Sequence, residues 1–264
     1  MLGDVPGATV HGVSLGKSKM MTCNVTAAVR LSTMVLTAVL AACGGGGSNE
    51  GSNGASNQPT TATDTEVLAY LKSSNIDFLP TNRPAGTWRW SATPAQHVSV
   101  YIATPTSGNS TEQDYATKTQ NAITQINTKL SGLLVLDAVA AIPASGNFIS
   151  VSYGTSYVPP GSTDYQGYCA NVATGPNIGN VIQPNGQNDI GSSPVYLNLG
   201  NGHCNVTQAI VAHEFGHALG LASHFNGFGI GDATSTAFWD VLATLYGNPP
   251  STTASNLVVN RAAN

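Results

Sequence analysis

The chain has 264 residues, with 9 Lys+Arg against 13 Asp+Glu and a formal net charge of -4 at pH 7. Lys17, Lys19, Arg30 and Asp4 all precede Cys43, so from Cys43 onward 6 basic residues face 12 acidic ones, a net charge of -6. So few cations cannot build a basic patch, which excludes nucleic acid as an expected partner, and a surface of Ser, Thr, Asn, Gln and Gly with only 8% charged residues suits an exported protein.

In chain order, Arg30 precedes an apolar run from Leu31 to Ala42. The run is too short to cross a bilayer and has the size of a signal-peptide hydrophobic region. Residues 1–19 do not read as the charged start of such a peptide, which points to translation from Met20 or Met21. The run ends in Leu40-Ala41-Ala42-Cys43, which resembles the bacterial lipoprotein box. That resemblance implies cleavage of residues 1–42, a lipid on the Cys43 thiol and attachment to a membrane. Gly44 after the cysteine resembles lipoproteins sorted to the outer membrane or cell surface of a Gram-negative host. Residues 44–63 are rich in Gly, Ser, Asn and Thr and lack apolar periodicity, so they are expected to tether rather than fold. A flexible coil of that length spans about 25 Å. Residues 64–264 remain as one domain with room for a core.

Within that domain, Val67, Leu68 and Leu71 predict a helix over 64–75 with Asp64 as N-cap. Val98, Val100 and Ile102 alternate and predict a strand over 97–104. Tyr115, Ile123, Ile126 and Leu130 predict a long helix over 110–132, capped at Ser110 or Thr111 and stopped by Gly132. A second strand is expected over 147–154, a loop region over 155–193, and a third strand over 194–200. Asn205 or Thr207 can cap the helix that carries His213, and Phe238, Val241, Leu242 and Leu245 predict a last helix ending at Gly247. Interleaved strands and helices predict an α/β (α+β) class. Cys169 and Cys204, left over in an oxidising compartment, most simply form a disulfide; a cysteine ligand to zinc lacks any close second cysteine.

The segment "HEFGHALGLASHF", residues 213–225, carries the chemistry. His213 and His217 are four residues apart on a helix, so their imidazoles converge on one face, a spacing suited to zinc. Glu214 lies beside the first histidine, and in such sites it takes the proton of the zinc-bound water and returns it to the leaving amine. Families that draw a third ligand from a downstream glutamate are excluded, because Glu214 is the last glutamate in the chain.

These residues resemble the metzincins, and the matrixins most closely, whose pattern HExxHxxGxxH breaks the helix at its glycine and brings in a third histidine. Gly220 matches the glycine, but Ser223 stands where the histidine is expected and His224 follows it. In a continued helix His224 would lie about 16 Å along the axis from His213, so it reaches the metal only if the helix ends near Gly220. Asp232 and Asp240 are the rival third ligands; His203 is more simply a loop residue beside a disulfide, and His97 a surface residue. The segment "DVLATLYG" resembles the closing matrixin helix, and the strand "PVYLNLG" resembles the edge strand on which metzincins lay their peptide. Metzincins floor the zinc with a methionine turn, yet no methionine follows Met34, so Phe228 or Phe238 must serve. The resemblance implies a metzincin-like domain, a small twisted mixed sheet packed with the long helix and the zinc-binding helix, and a monomeric zinc (Zn2+) endopeptidase acting on peptides or proteins, with His213, His217 and His224 as ligands and Glu214 as catalytic base. The reading from a different class is a surface lipoprotein that binds zinc or a protein partner without hydrolysis.

Overall fold

In the structure, a computed structural model, the described residues are 61–78, 84–91, 96–144, 147–179, 182–184, 186–190 and 194–264. The expected signal peptide, the lipidated Cys43 and the tether as far as residue 60 lie outside them. The described elements run α1 (Asp64–Leu71), a π-helical turn (Lys72–Ile76), β1 (His97–Ile102), α2 (Ser110–Lys129), β2 (Val135–Val139), β3 (Phe148–Tyr153), β4 (Ala170–Ala173), β5 (Val195–Leu199), α3 (Gln208–Ala218), β6 (Phe225–Asn226), β7 (Gly229–Ile230) and α4 (Thr236–Gly247).

Helix starts are fixed by short polar side chains. Thr63 caps α1 in a reciprocal box: its hydroxyl accepts from the Glu66 amide, and Glu66 accepts from the Thr63 amide at 2.8 Å. The N-cap is therefore Thr63, one residue before the expected Asp64. Asn109, not Ser110 or Thr111, caps α2 by accepting from the Glu112 amide at 3.2 Å. Thr207 caps α3 through the Ile210 amide, as expected. Ser235 caps α4, which starts at Thr236, two residues before the expected start.

The sheet has the order β2-β1-β3-β5-β4. β1 runs parallel to β2 and β3, and β3 parallel to β5, while β4 is antiparallel on β5. Alternating side chains Val98, Val100, Ile149, Val151, Leu197 and Leu199 are at most 1% exposed and face the apolar side of α2, formed by Tyr115, Ala122, Ile123 and Ile126. α2 connects β1 to β2 and packs on α3, and α3 in turn packs on β4 and β5, while α1 packs on α4. The fold is the mixed α/β (α+β) arrangement predicted from the alternation of elements.

Two strand assignments need correction. The segment expected to be loop over 155–193 contains β4, and the strand expected at the sheet edge, β5, is interior, with β3 on one side and β4 on the other. Ala-Asn-Val-Ala is too short and too small-sided to announce a strand by periodicity. Pairing with β5, from Ala170↔Leu199 to Ala173↔Tyr196, makes it one. β2 also escaped the sequence reading, because Val135–Val139 sits in an apolar run without clean alternation. The disulfide Cys169–Cys204 is present, with Cα atoms 5.7 Å apart. It ties the residue before β4 to the segment leading into α3, and the Cys169 carbonyl accepts from the Gly200 amide at 2.7 Å. Among the described residues no helix is long and apolar enough to cross a membrane.

Candidate metal centre

Helix α3 is buried around nearly its whole girth, with Val211, Ala212, Phe215 and Ala218 at most 1% exposed. A helix held so firmly presents His213 and His217 in a fixed direction. The helix ends in a Schellman turn: the Leu221 amide donates to the Gly216 carbonyl and the Gly220 amide to the His217 carbonyl, both at 3.0 Å. Gly220 occupies the left-handed region at φ +112°, and a Cβ there would lie 3.0 Å from the Trp88 carbonyl oxygen. The two carbonyls left over at the helix end are taken by distant side chains. Trp90 Nε1 donates to Ala218 O at 2.8 Å, and the Tyr246 hydroxyl donates to Leu219 O at 2.9 Å. The chain cannot continue as helix, and it turns back to deliver His224.

Three imidazoles then meet. His213 Nε2 lies 3.1 Å, and His217 Nε2 3.2 Å, from His224 Nε2. The outer nitrogens of the two helical histidines face backbone carbonyls: His213 Nδ1 faces Ala233 O at 2.9 Å and His217 Nδ1 faces Leu221 O. A carbonyl only accepts, so each Nδ1 carries the proton and each Nε2 turns a lone pair inward. A single Nε2 proton on His224 could satisfy only one of those lone pairs. A cation at the centre satisfies all three rings, and nitrogens about 2.0–2.1 Å from a tetrahedral ion stand about 3.3 Å apart. The observed spacings fit that arrangement, and the carbonyls behind the rings are the supports that histidine ligands ordinarily have. Burial strengthens the donor set. It pushes the His213 pKa down to about 4, against a raising effect from the Ala233 carbonyl and with the neighbouring His224 also lowering it. Burial likewise lowers His217, with a further lowering from the other two histidines, and it lowers His224. All three rings are neutral at pH 7 and available as ligands.

Phe228, fully buried, floors the cluster. Its ring centroid is 4.3 Å from that of His213, 4.9 Å from His217 and 5.5 Å from His224, and it stacks on Phe238 at 5.1 Å. Of the two phenylalanines expected to serve in place of a methionine, Phe228 touches the histidines and Phe238 backs it. Two glycines make room. A Cβ on Gly216 would fall 2.5 Å from a Phe238 ring carbon and 2.9 Å from one of Phe228. A Cβ on Gly229 would fall 2.6 Å from His224 Cδ2 and 2.9 Å from His213 Cε1.

The other candidates lie elsewhere. Asp240 is buried and engaged, accepting from Arg261 at 2.7 Å and from the Ala262 amide at 3.0 Å. Asp232 is exposed on the loop after β7 and stands outside the histidine cluster. His203 is exposed beside the disulfide with its ring 4.1 Å from that of Tyr165, and His97 is an exposed partner of Asp137 at 2.6 Å. Glu214 has no accessible surface, and on α3 it neighbours His213 in sequence and His217 one turn on. Among the described residues, His213, His217 and His224 are the group of metal-binding side chains brought close enough to hold an ion. The supports went unseen in the sequence: Ala233 O and Leu221 O are backbone atoms that leave no signature, and Trp90 and Tyr246 are far away in the chain. The sequence matches no protein-family model and no curated protein.

Proposed function

We propose that the protein is a zinc-dependent endopeptidase of metzincin-like type, exported and held at a membrane through a lipid on Cys43. The observation that carries the reading is the convergence of three neutral imidazoles beside the glutamate of an intact HExxH segment. His213, His217 and His224 would hold the ion. Zinc, when bound, acidifies water and polarises a carbonyl. Glu214 is the base: its carboxylate accepts a proton from the attacking water and hands it to the departing amine. The substrate would lie extended along the free side of β4, the strand at the sheet edge nearest α3, and pair with its backbone. The disulfide at Cys169 would hold that edge against α3.

One observation favours a second reading, a lipoprotein that holds a metal without hydrolysing anything: the Glu214 carboxylate is fully buried. A single substitution separates the two. Glu214→Gln preserves size and removes the base. In a peptidase it leaves zinc binding nearly intact and lowers cleavage of a peptide library by at least about 100-fold, and phenanthroline abolishes the wild-type activity. Wild type and Glu214→Gln equally inert across the library would move the conclusion to the metal-holding lipoprotein.

A further inference from the structure

We propose that Asn75, in the π-helical turn after α1, is a positioning residue for the metal centre: it sets the course of residues 220–224 and so delivers His224. The inference rests on the metal-binding reading above. The problem it answers is the extra residue. Ser223 stands where the third histidine is expected, so the return loop must absorb one more residue and still place an imidazole next to His213 and His217. A longer loop has more courses open to it, and something must select one.

The selection is made by residues far away in sequence. Asn75 has no accessible surface, and its side chain makes one hydrogen bond to the loop and two to the backbone of Trp88 beside it. Its Nδ2 donates to Gly220 O and to Trp88 O, each at 2.8 Å, and its Oδ1 accepts from the Trp88 amide at 3.1 Å. The residue before it acts on the next stretch of the same loop: the Ser74 carbonyl accepts from the Ala222 amide at 2.7 Å and from the Ser223 amide at 3.4 Å. Residues 220, 222 and 223 are thus all docked on one turn. That turn is wound as a π-helix over Lys72–Ile76, closed by the Asp77 amide donating to Lys72 O. Such turns are rare and recur at functional sites. A buried amide with two donors and an acceptor all engaged accepts only one arrangement of its partners, and that arrangement places the loop one residue before His224 begins its approach. Ala removes all three bonds. Asp keeps the acceptor and the volume but loses both donors, including the one to Gly220 O.

The test is a thermodynamic cycle in the full chain, with zinc itself as the probe. Zinc affinity is measured by competition with a chromophoric chelator for wild type, Asn75→Ala, His224→Ala and the double variant, and the visible spectrum of the cobalt-substituted proteins reports coordination number. Asn75→Ala is expected to weaken zinc by about 10- to 100-fold, the usual effect of losing a support behind a ligand, to change the cobalt spectrum, and to cost nothing further once His224 is gone. An equal loss in both backgrounds, or an unchanged affinity and spectrum, would overturn the proposal and leave Asn75 as part of the general fold. Should Asn75→Ala fail to fold, Asn75→Asp decides by the same cycle. Wild-type protein that binds no zinc would instead overturn the metal reading, and this inference with it.

Discussion

Phe228 offers the sharpest test of how the centre is held. Its ring is fully buried and packs against all three imidazoles, so Phe228→Ala removes both a core side chain and the surface on which the three histidines rest. Truncating a buried phenylalanine costs about 3–5 kcal/mol. Phe238, stacked behind it at 5.1 Å, is itself gripped by Trp239 at 4.6 Å and has little freedom to collapse into the space, so the cost belongs at the upper end of that range. In a domain of this size each kcal/mol lowers Tm by about 2–4 °C, which at about 5 kcal/mol gives a fall of roughly 10–20 °C. Against total stabilities of about 5–15 kcal/mol, that cost is a large share of what holds the domain folded. Phe228→Met is the informative partner. It restores most of the volume with a flexible apolar chain, and it should cost less than about 1.5 kcal/mol and keep zinc binding. Thermal denaturation of chelator-treated protein, followed by zinc titration, reads both effects. If Phe228→Ala melts within a degree or two of wild type and binds zinc unchanged, the ring is not the floor of this site and the packing argument fails.

His224→Ala should weaken zinc binding sharply, since it removes one of three converging nitrogens; unchanged affinity in the titration would return attention to Asp232. The disulfide Cys169–Cys204, with a sequence separation of 35, should contribute about 3–4 kcal/mol by restricting the unfolded chain; mass spectrometry of the native protein should find no free thiol, and a Cys169→Ala/Cys204→Ala variant that melts with wild type would refute that contribution. The metal-free domain should lose stability on acidification. His213 has its pKa depressed from 6.5 to about 4 by burial, so between those values the unfolded chain binds the proton first, and the stability present above pH 6.5 is lost as pH falls through about 4. That one group accounts for about 3 kcal/mol, and the lowered His217 and His224 act in the same direction. Denaturant titrations at pH 8, 6.5 and 5 should show the decline, and a flat profile would contradict the burial argument.

How much of the molecule was legible in the residues depended on how local each signal was. The periodicities of Val98-Val100-Ile102 and of Tyr115-Ile123-Ile126 are properties of one segment, and β1 and α2 formed where those segments lie. The same is true of His213 and His217, four residues apart on one helix, and of Gly220, whose missing Cβ permits the turn that ends it. The pairing of Cys169 with Cys204 followed from there being just two cysteines left after Cys43. The sequence could name His224, Asp232 and Asp240 as rivals but could not choose among them, because the choice is made by contacts that cross the chain. Arg261 engages Asp240 from near the end of the sequence, and Asn75, Trp90 and Tyr246 close the end of α3 from three separate segments of the chain. β4 belongs to the same class. Four residues with a single β-branched side chain, Val172, are too short a run to signal a strand, and the free edge of β5 and the disulfide beside it make them one. Segment-level patterns are encoded by spacing alone. A site assembled from backbone carbonyls and long-range hydrogen bonds is decided only when the whole chain has packed, because each of those partners is an ordinary residue until the fold brings it within about 3 Å.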